Sequence, residues 1–354
     1  MAISRDDVLR YRIQVQGLDG AGRDDILDIG VQDTGPDGGR WALELRGVRP
    51  DPAQLVLVWT LRGAPHLYRR AEIAQVARAV SPLSEADARK RVFDAAKPLV
   101  KAGIAVADAL DEVGTAMREI VTAPTAKGEV SRQLSAVMPE PYLRYCRPCQ
   151  ATHLYEQVFR LSALFGGLEL EPDTSPPVLT RIPRWRGRAR SAPERLDPVR
   201  AALHLLGPAD HKAVAAFLDS PVTEVRKRWP DDAVAVEVDG VQEWILSADR
   251  SALEHPASFS GVRLLGPFDL YLQTRDRERL VPDDAARKDL WRTLGRPGGV
   301  LVDGEVVGSW RPRSAGSRLA LAVTLWNGEQ PGSRIAAEAE RLAHWRGKAF
   351  AGLV

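Results

Sequence analysis

The sequence predicts an α+β protein: three tandem winged helix-turn-helix units followed by a C-terminal α+β domain. Three observations predict it. Short helical stretches alternate with β-rich runs over residues 1–258. Residues 198–247 read in order as helix, turn, helix, basic helix and hairpin, which is the outline of a winged helix. From residue 259 onward, strands separated by Gly-containing turns predominate. The expected division is 1–105 (first unit plus helices), 106–180 (second unit), 181–197 (Arg-rich linker), 198–258 (third unit) and 259–354 (C-terminal domain).

In chain order, Ser4-x-x-Asp7 is a capping box that opens a helix expected to reach Leu18. Helices follow at Arg23–Ile29 and Arg40–Arg46, then the β-rich run Leu55–Leu61, an Arg62-Gly63 turn and the strand His66–Arg70. Two helices are expected at Ala71–Val80 and Ser84–Ala102, the second broken near Pro98. The second unit begins with helices Asp111–Thr122 and Lys127–Met138. Its third helix, Thr152–Phe165, places Leu154, Val158, Leu161 and Phe165 on one face, and Gly166-Gly167 ends it. In the third unit, helices at Pro198–Leu206 and Ala209–Leu218 precede a short helix ending at Arg226-Lys-Arg228. Asp239-Gly240 between two β-rich runs is a strong hairpin signal. The C-terminal part is expected to hold strands at Val262–Leu272, Val300–Val302, Glu305–Arg311 and Arg318–Leu325, with helices at Pro282–Leu294 and Gly332–Trp345.

Hydrophobic residues make up 44% of the 354-residue chain and charged residues 27%, which excludes wholesale disorder. The longest apolar runs are far too short to span a bilayer. The N-terminus lacks the apolar core of a signal peptide, so the expectation is a cytoplasmic, nucleoid-associated protein. Cys146-x-x-Cys149-x-x-x-His153 has the spacing of half a zinc site, but no second cysteine pair exists. The pair is read as reduced thiols, and no metal is assigned.

Net charge is only +2, so the whole molecule is not strongly drawn to nucleic acid. Its distribution says more. Residues 181–200 hold seven arginines against two carboxylates, with Trp185 among them. Such a stretch suits phosphate contacts or, alternatively, a solvated linker; its place between two DNA-binding patterns favours DNA.

Five segments occur in a telling order: Gly30-Val-Gln32-Asp33-Thr34, Trp59-Thr-Leu-Arg62-Gly63-x-x-His66, Cys146-x-x-Cys149-x-x-x-His153, Leu264-Leu-Gly-Pro-Phe-Asp269-x-Tyr271 and Asp303-Gly-x-Val-Val-Gly308-x-Trp310-Arg311. Over nearly the whole chain the sequence resembles the bacterial AlkZ-like winged-helix DNA glycosylases. The resemblance implies tandem winged helices around a concave DNA-binding face. It also implies excision of bulky N7-alkylated purines or unhooking of interstrand crosslinks, in repair or in self-resistance to DNA-alkylating antibiotics.

N7 alkylation makes the base cationic and a good leaving group. The protein then needs to stabilise an oxocarbenium-like sugar and aim a water at it, which a carboxylate or an amide can do. The family's motif is Gln, an apolar residue, then Gln or Asp, whereas this chain reads Gln32-Asp33-Thr34. Either Asp33 takes the catalytic role from a shorter loop, or Gln32 and Thr34 face the DNA. Gln14-Val-Gln16 matches the motif literally but lies in the first helix and is read as coincidence. The candidate catalytic residues are therefore Gln32, Asp33 and Thr34. Candidate DNA contacts are Arg62 and His66 at the turn, then Arg184, Trp185, Arg186 and Arg188 in the linker. Arg226, Lys227 and Arg228 on the basic helix join them, with Arg311 and Arg313 on the late hairpin. Double-stranded, alkylated DNA is the expected partner of a monomer that needs no cofactor. The alternative is a non-catalytic DNA-binding protein.

Overall fold

The computed structural model describes residues 3–354. Three stretches of the chain share one strand order. In the first, helix Ile26–Ile29 runs into the short strand Val31–Gln32, helix Gly38–Leu45 follows, and the strands Leu55–Trp59 and Pro65–Arg69 close the set. The short strand pairs with the last strand, which lies at the centre of the sheet. In the second, Thr125–Ala126 follows helix Val106–Ile120, and Leu168–Leu170 and Val178–Arg181 follow helices Lys127–Val137 and Glu156–Ala163. Here again the first strand pairs with the last. In the third, helices Pro198–Leu206, His211–Leu218 and Val222–Lys227 precede the hairpin Ala233–Val238/Val241–Leu246. There Ala209 forms a single bridge to Trp244 where a first strand would lie. Asp239 and Gly240 both adopt positive φ (47° and 80°), the geometry of a tight hairpin turn that follows the strand twist.

The remainder is a five-stranded sheet in sequential order, Val262–Leu265, Gly298–Val302, Glu305–Ala315, Arg318–Leu325 and Ala349–Leu353, with only the last pairing parallel. Helix Ser333–Trp345 covers it. The chain is thus a mixed α+β protein. Among the described residues, no helix is long and apolar enough to cross a membrane.

Several boundaries differ from expectation for local reasons. The capping box at Ser4 and Asp7 is fully formed, but the first helix stops at Val15 because Gly17 turns left-handed. The expected helix at 84–102 is two helices, Glu85–Arg91 and Ala96–Lys101, broken at Phe93 (φ 51°) rather than at Pro98. His153 does not open a helix: Ala151–Leu154 is a strand paired with Leu143–Cys146, and the helix begins at Glu156. The strand expected over 262–272 ends at Leu265, and Leu270–Gln273 is a 3-10 turn whose start is capped by Asp269.

Packing welds these parts together. One apolar core runs from Ile26 to Leu270 through all three stretches, so they share an interior. A second core seats Leu9, Ile13, Trp41 and Leu45 against the C-terminal sheet. Between the two ends lies a buried ion pair. Arg46 binds Asp269 through two 2.9 Å hydrogen bonds, and neither side chain is exposed. Arg46 also donates to the Gln16 and Ala42 carbonyls, and Gln16 donates to the Leu205 carbonyl at 2.9 Å. Every donor here has an acceptor, the condition under which a buried charge is tolerated. Gln16 of the literal Gln-Val-Gln match is therefore a buried structural residue.

Candidate active site

The short strand Val31–Gln32 decides which way each motif residue points. Adjacent strand residues face opposite sides of a sheet. Gln32 lies opposite His66, which in turn lies opposite Val58, so these three share one face. Val31, Leu67 and Leu57 share the other. Asp33 continues the strand by donating its N–H to the Pro65 carbonyl at 2.8 Å, and its side chain goes to the Leu57 and Leu67 side.

On the first face, the Gln32 amide donates to the Thr34 hydroxyl at 2.9 Å and accepts from the Arg62 guanidinium at 3.3 Å. Arg62 is held in a left-handed conformation (φ 59°) by the turn after Thr60. It also donates to the Phe217 carbonyl at 2.7 Å and to Gln273 Oε1 at 2.6 Å, and it stacks on the Phe217 ring. Gln273 in turn donates to the Phe268 carbonyl at 2.7 Å. Four regions of the chain therefore converge on Gln32.

Arg62 has no carboxylate partner, and neither do Arg275, Arg277 or Arg296 among the described residues. Burial, together with Arg275, lowers the Arg62 pKa to about 10 against the opposing pull of the Asp219 carboxylate, which acts on Arg275 as well. Burial, with Arg277, Arg275 and Arg62 behind it, lowers Arg296 to about 10 as well. The four are close enough to disfavour one another's charge. Arg277 lies over Trp291 (5.0 Å) and Arg296 over Phe268 (5.2 Å), which aligns planar cations on aromatic faces. An open groove of about 630 Å³ runs along Arg275, Arg277, Arg287, Lys288 and Trp291. Sequence reading found Arg62 but missed Gln273, Arg275, Arg277 and Arg296. The one available signal was the run Arg275-Asp-Arg-Glu-Arg279, whose carboxylates masked it.

On the opposite face, the Asp33 carboxylate accepts the Gly39 N–H at 2.7 Å. It thereby caps the first turn of helix Gly38–Leu45, which Asp37 does not cap with its own side chain. Burial raises its pKa, against the lowering effect of that hydrogen bond. Asp33 borders a separate, largely apolar cavity of about 580 Å³ that includes Leu43, Leu57, Leu67 and Trp345.

The other predicted contacts separate into three groups. His66 is only 2% exposed, so it is corrected from a surface DNA contact to a buried group. Its Nδ1 lies 3.0 Å from Thr60 Oγ1 and 2.9 Å from the Ala64 carbonyl. Burial first, and Arg62 second, lower its pKa to about 3, so the ring is neutral. Trp185 is half-buried: it packs over Gly167 and against the cluster around Leu164 and Ile182. Arg188, Lys227, Arg228 and Arg311 are each paired, with Asp111, Glu224, Asp197 and Asp289 respectively. Arg184, Arg186, Arg226 and Arg313 are exposed and have no carboxylate partner among the described residues.

The fold places the chain among the DNA glycosylase structures. It matches Streptomyces sahachiroi DNA glycosylase AlkZ over 100% of both chains, with a TM-score of 0.73 and 21% sequence identity. The chain belongs to the AlkZ-like DNA glycosylase family, whose model matches residues 40–345. The curated "Interstrand DNA cross-link repair glycosylase" of the same organism is 33% identical over 122 residues, and this match spans 32% of each protein. The family match begins after Thr34, so the assignment of Gln32, Asp33 and Thr34 rests on geometry.

Proposed function

We propose that the protein is a monofunctional DNA glycosylase that hydrolyses the N-glycosidic bond of N7-alkylated purines in duplex DNA, bulky adducts and interstrand crosslinks included. The three stretches of common strand order are read as winged helices, 1–105, 106–180 and 198–258, that line the duplex as a monomer. The Arg-rich segment 181–197 joins the second to the third, and the domain 259–354 closes the groove.

The observation that carries the reading is the pairing of Gln32 with Thr34, beside four arginines that form no salt bridge among the described residues. Phosphates of a bound duplex would supply the missing negative charge. With Gln32 Nε2 donating to Thr34 and Arg62 donating to Gln32 Oε1, both oxygens keep a lone pair that can accept a hydrogen bond from an attacking water and so aim it, its proton passing to solvent as the bond to the sugar forms. A cationic base leaves without an acid, so aiming that water is the main task left to the protein. Asp33 is assigned to positioning the helix Gly38–Leu45. No metal or cofactor is required at this site.

Incubation with duplex DNA carrying N7-methylguanine tests the proposal: free base is released by the wild type and lost in Gln32→Ala. A second reading, a DNA-binding protein without chemistry, is favoured by one observation: no carboxylate hydrogen-bonds to Gln32. It predicts salt-sensitive duplex binding with no base release from any alkylated substrate, and that result would displace the first reading.

A further inference from the structure

The link between helices Lys127–Val137 and Glu156–Ala163 is longer than a simple turn, and it contains a structure that is hard to stabilise alone. Leu143–Cys146 and Ala151–Leu154 pair as an isolated two-stranded sheet. Tyr145 on it is 64% exposed and Cys149 at its tip is exposed. Leu154 is buried in the main core and Leu143 packs beside it, so the base of the hairpin is anchored, while its tip, residues 147–152, is exposed and a two-stranded tip is marginal in water.

Its tip brings three soft or borderline donors together. The ligand atoms of Cys146, Cys149 and His153 all lie within 4.8 Å of one another. Gln150, directly after the second cysteine, takes a left-handed conformation (φ 49°). That turn folds both thiols to one side. His153 completes the set from the partner strand, where it lies opposite Arg144. Its Nδ1 is 2.8 Å from the Leu154 carbonyl, so Nδ1 carries the proton and Nε2 presents its lone pair. A backbone carbonyl that fixes the tautomer is the usual outer support of a metal-bound histidine.

We propose that Cys146, Cys149 and His153 form a zinc site that staples the hairpin over residues 138–155. Two thiolates and one imidazole suit Zn²⁺ in both softness and spacing. No fourth protein donor joins the cluster among the described residues, so solvent takes the remaining tetrahedral position. The metal contributes folding energy locally, at the exposed tip that the core contacts of Leu143 and Leu154 do not reach. Where this link precedes helix Glu156–Ala163, the site also sets how the chain enters that helix. The proposal is independent of the base-excision chemistry assigned to Gln32.

The test uses the full chain, reduced, stripped with EDTA and titrated with Co²⁺ and then Zn²⁺. The expected result is one equivalent bound, with visible tetrahedral bands and a thiolate-to-cobalt charge-transfer band that Zn²⁺ displaces. Cys149→Ser and His153→Ala should each abolish the spectrum while far-ultraviolet circular dichroism stays unchanged. Trypsin should cut the Arg144–Tyr145 bond of the wild type several-fold faster after metal removal, and Zn²⁺ should restore protection. Absence of a charge-transfer band in the reduced wild type, or a band that survives Cys149→Ser, would overturn the assignment. So would a cutting rate at Arg144 that is indifferent to zinc.

Discussion

Two arginine-rich regions of the molecule treat charge in opposite ways. At the joint between the first helices and the C-terminal sheet, Arg46 is sealed from solvent and fully neutralised by Asp269, Gln16 and two backbone carbonyls. Around Gln32, Arg62, Arg277 and Arg296 lean on amides, carbonyls and aromatic rings, Arg275 stands beside them, and none of the four forms a salt bridge among the described residues; Asp219 is the one carboxylate that acts on Arg62 and Arg275, from a distance. A closed, matched ion pair serves the fold, because every interaction it can make is already made. Four cations packed together with no directly bonded counter-charge cost folding free energy, and a polyanion would return it on binding.

The largest expected effect breaks the first region. Asp269→Ala leaves Arg46 buried and unpaired, at a cost of about 3–5 kcal/mol in urea unfolding. Arg62→Ala should cost only roughly 1–2 kcal/mol, the net worth of the hydrogen bonds it loses, while weakening duplex binding strongly. Equal stability losses in the two variants would erase the distinction.

Acid sensitivity comes next. His66 is buried beside the second region, and its folded pKa of about 3 lies below the ordinary value of 6.5. A depressed pKa gives stability that is complete above pH 6.5 and is lost as pH falls toward 3. The slope this site adds is about 1.4 kcal/mol per pH unit between those limits. Urea midpoints of wild type and His66→Gln measured across that range should show the slope shrinking in the variant. An unchanged slope would mean that His66 is not held neutral.

Smaller effects test the charge sorting itself. Arg275→Ala, Arg277→Ala and Arg296→Ala should each reduce the salt slope of duplex binding by about 1. Arg226→Ala, at an unpaired position, should weaken binding more than Lys227→Ala, whose ammonium is already 2.9 Å from Glu224. Identical slopes for paired and unpaired positions would remove the argument from missing carboxylates.

The parts of this design that could be read from sequence were local. Ser4 with Asp7 and the Asp239-Gly240 turn act within a few residues, and both form as read. The two-residue strand Val31–Gln32 was invisible because period-two alternation needs several residues to register. Without it, the opposite facings of Gln32 and Asp33 could not be assigned. The arginines at 275, 277 and 296 meet Arg62 only through tertiary packing, and the nearby Asp276 and Glu278 made the run look balanced. Asp276 in fact pairs inward with Arg12. His66 was misplaced for the complementary reason: turn chemistry suggested surface, and core packing buried it.

The central claim is that Gln32 works on the side of the strand that faces the uncompensated arginines, while Asp33 works for the fold on the other. Base release from N7-methylguanine duplex tests it most directly, comparing wild type, Gln32→Ala and Asp33→Asn at matched folded protein. The account predicts release by the wild type, loss of release in Gln32→Ala at least 100-fold, and near wild-type release in Asp33→Asn, using roughly 10²–10⁴ as the worth of a positioned catalytic group. Loss in Asp33→Asn with retention in Gln32→Ala would contradict it and move the chemistry to the other face.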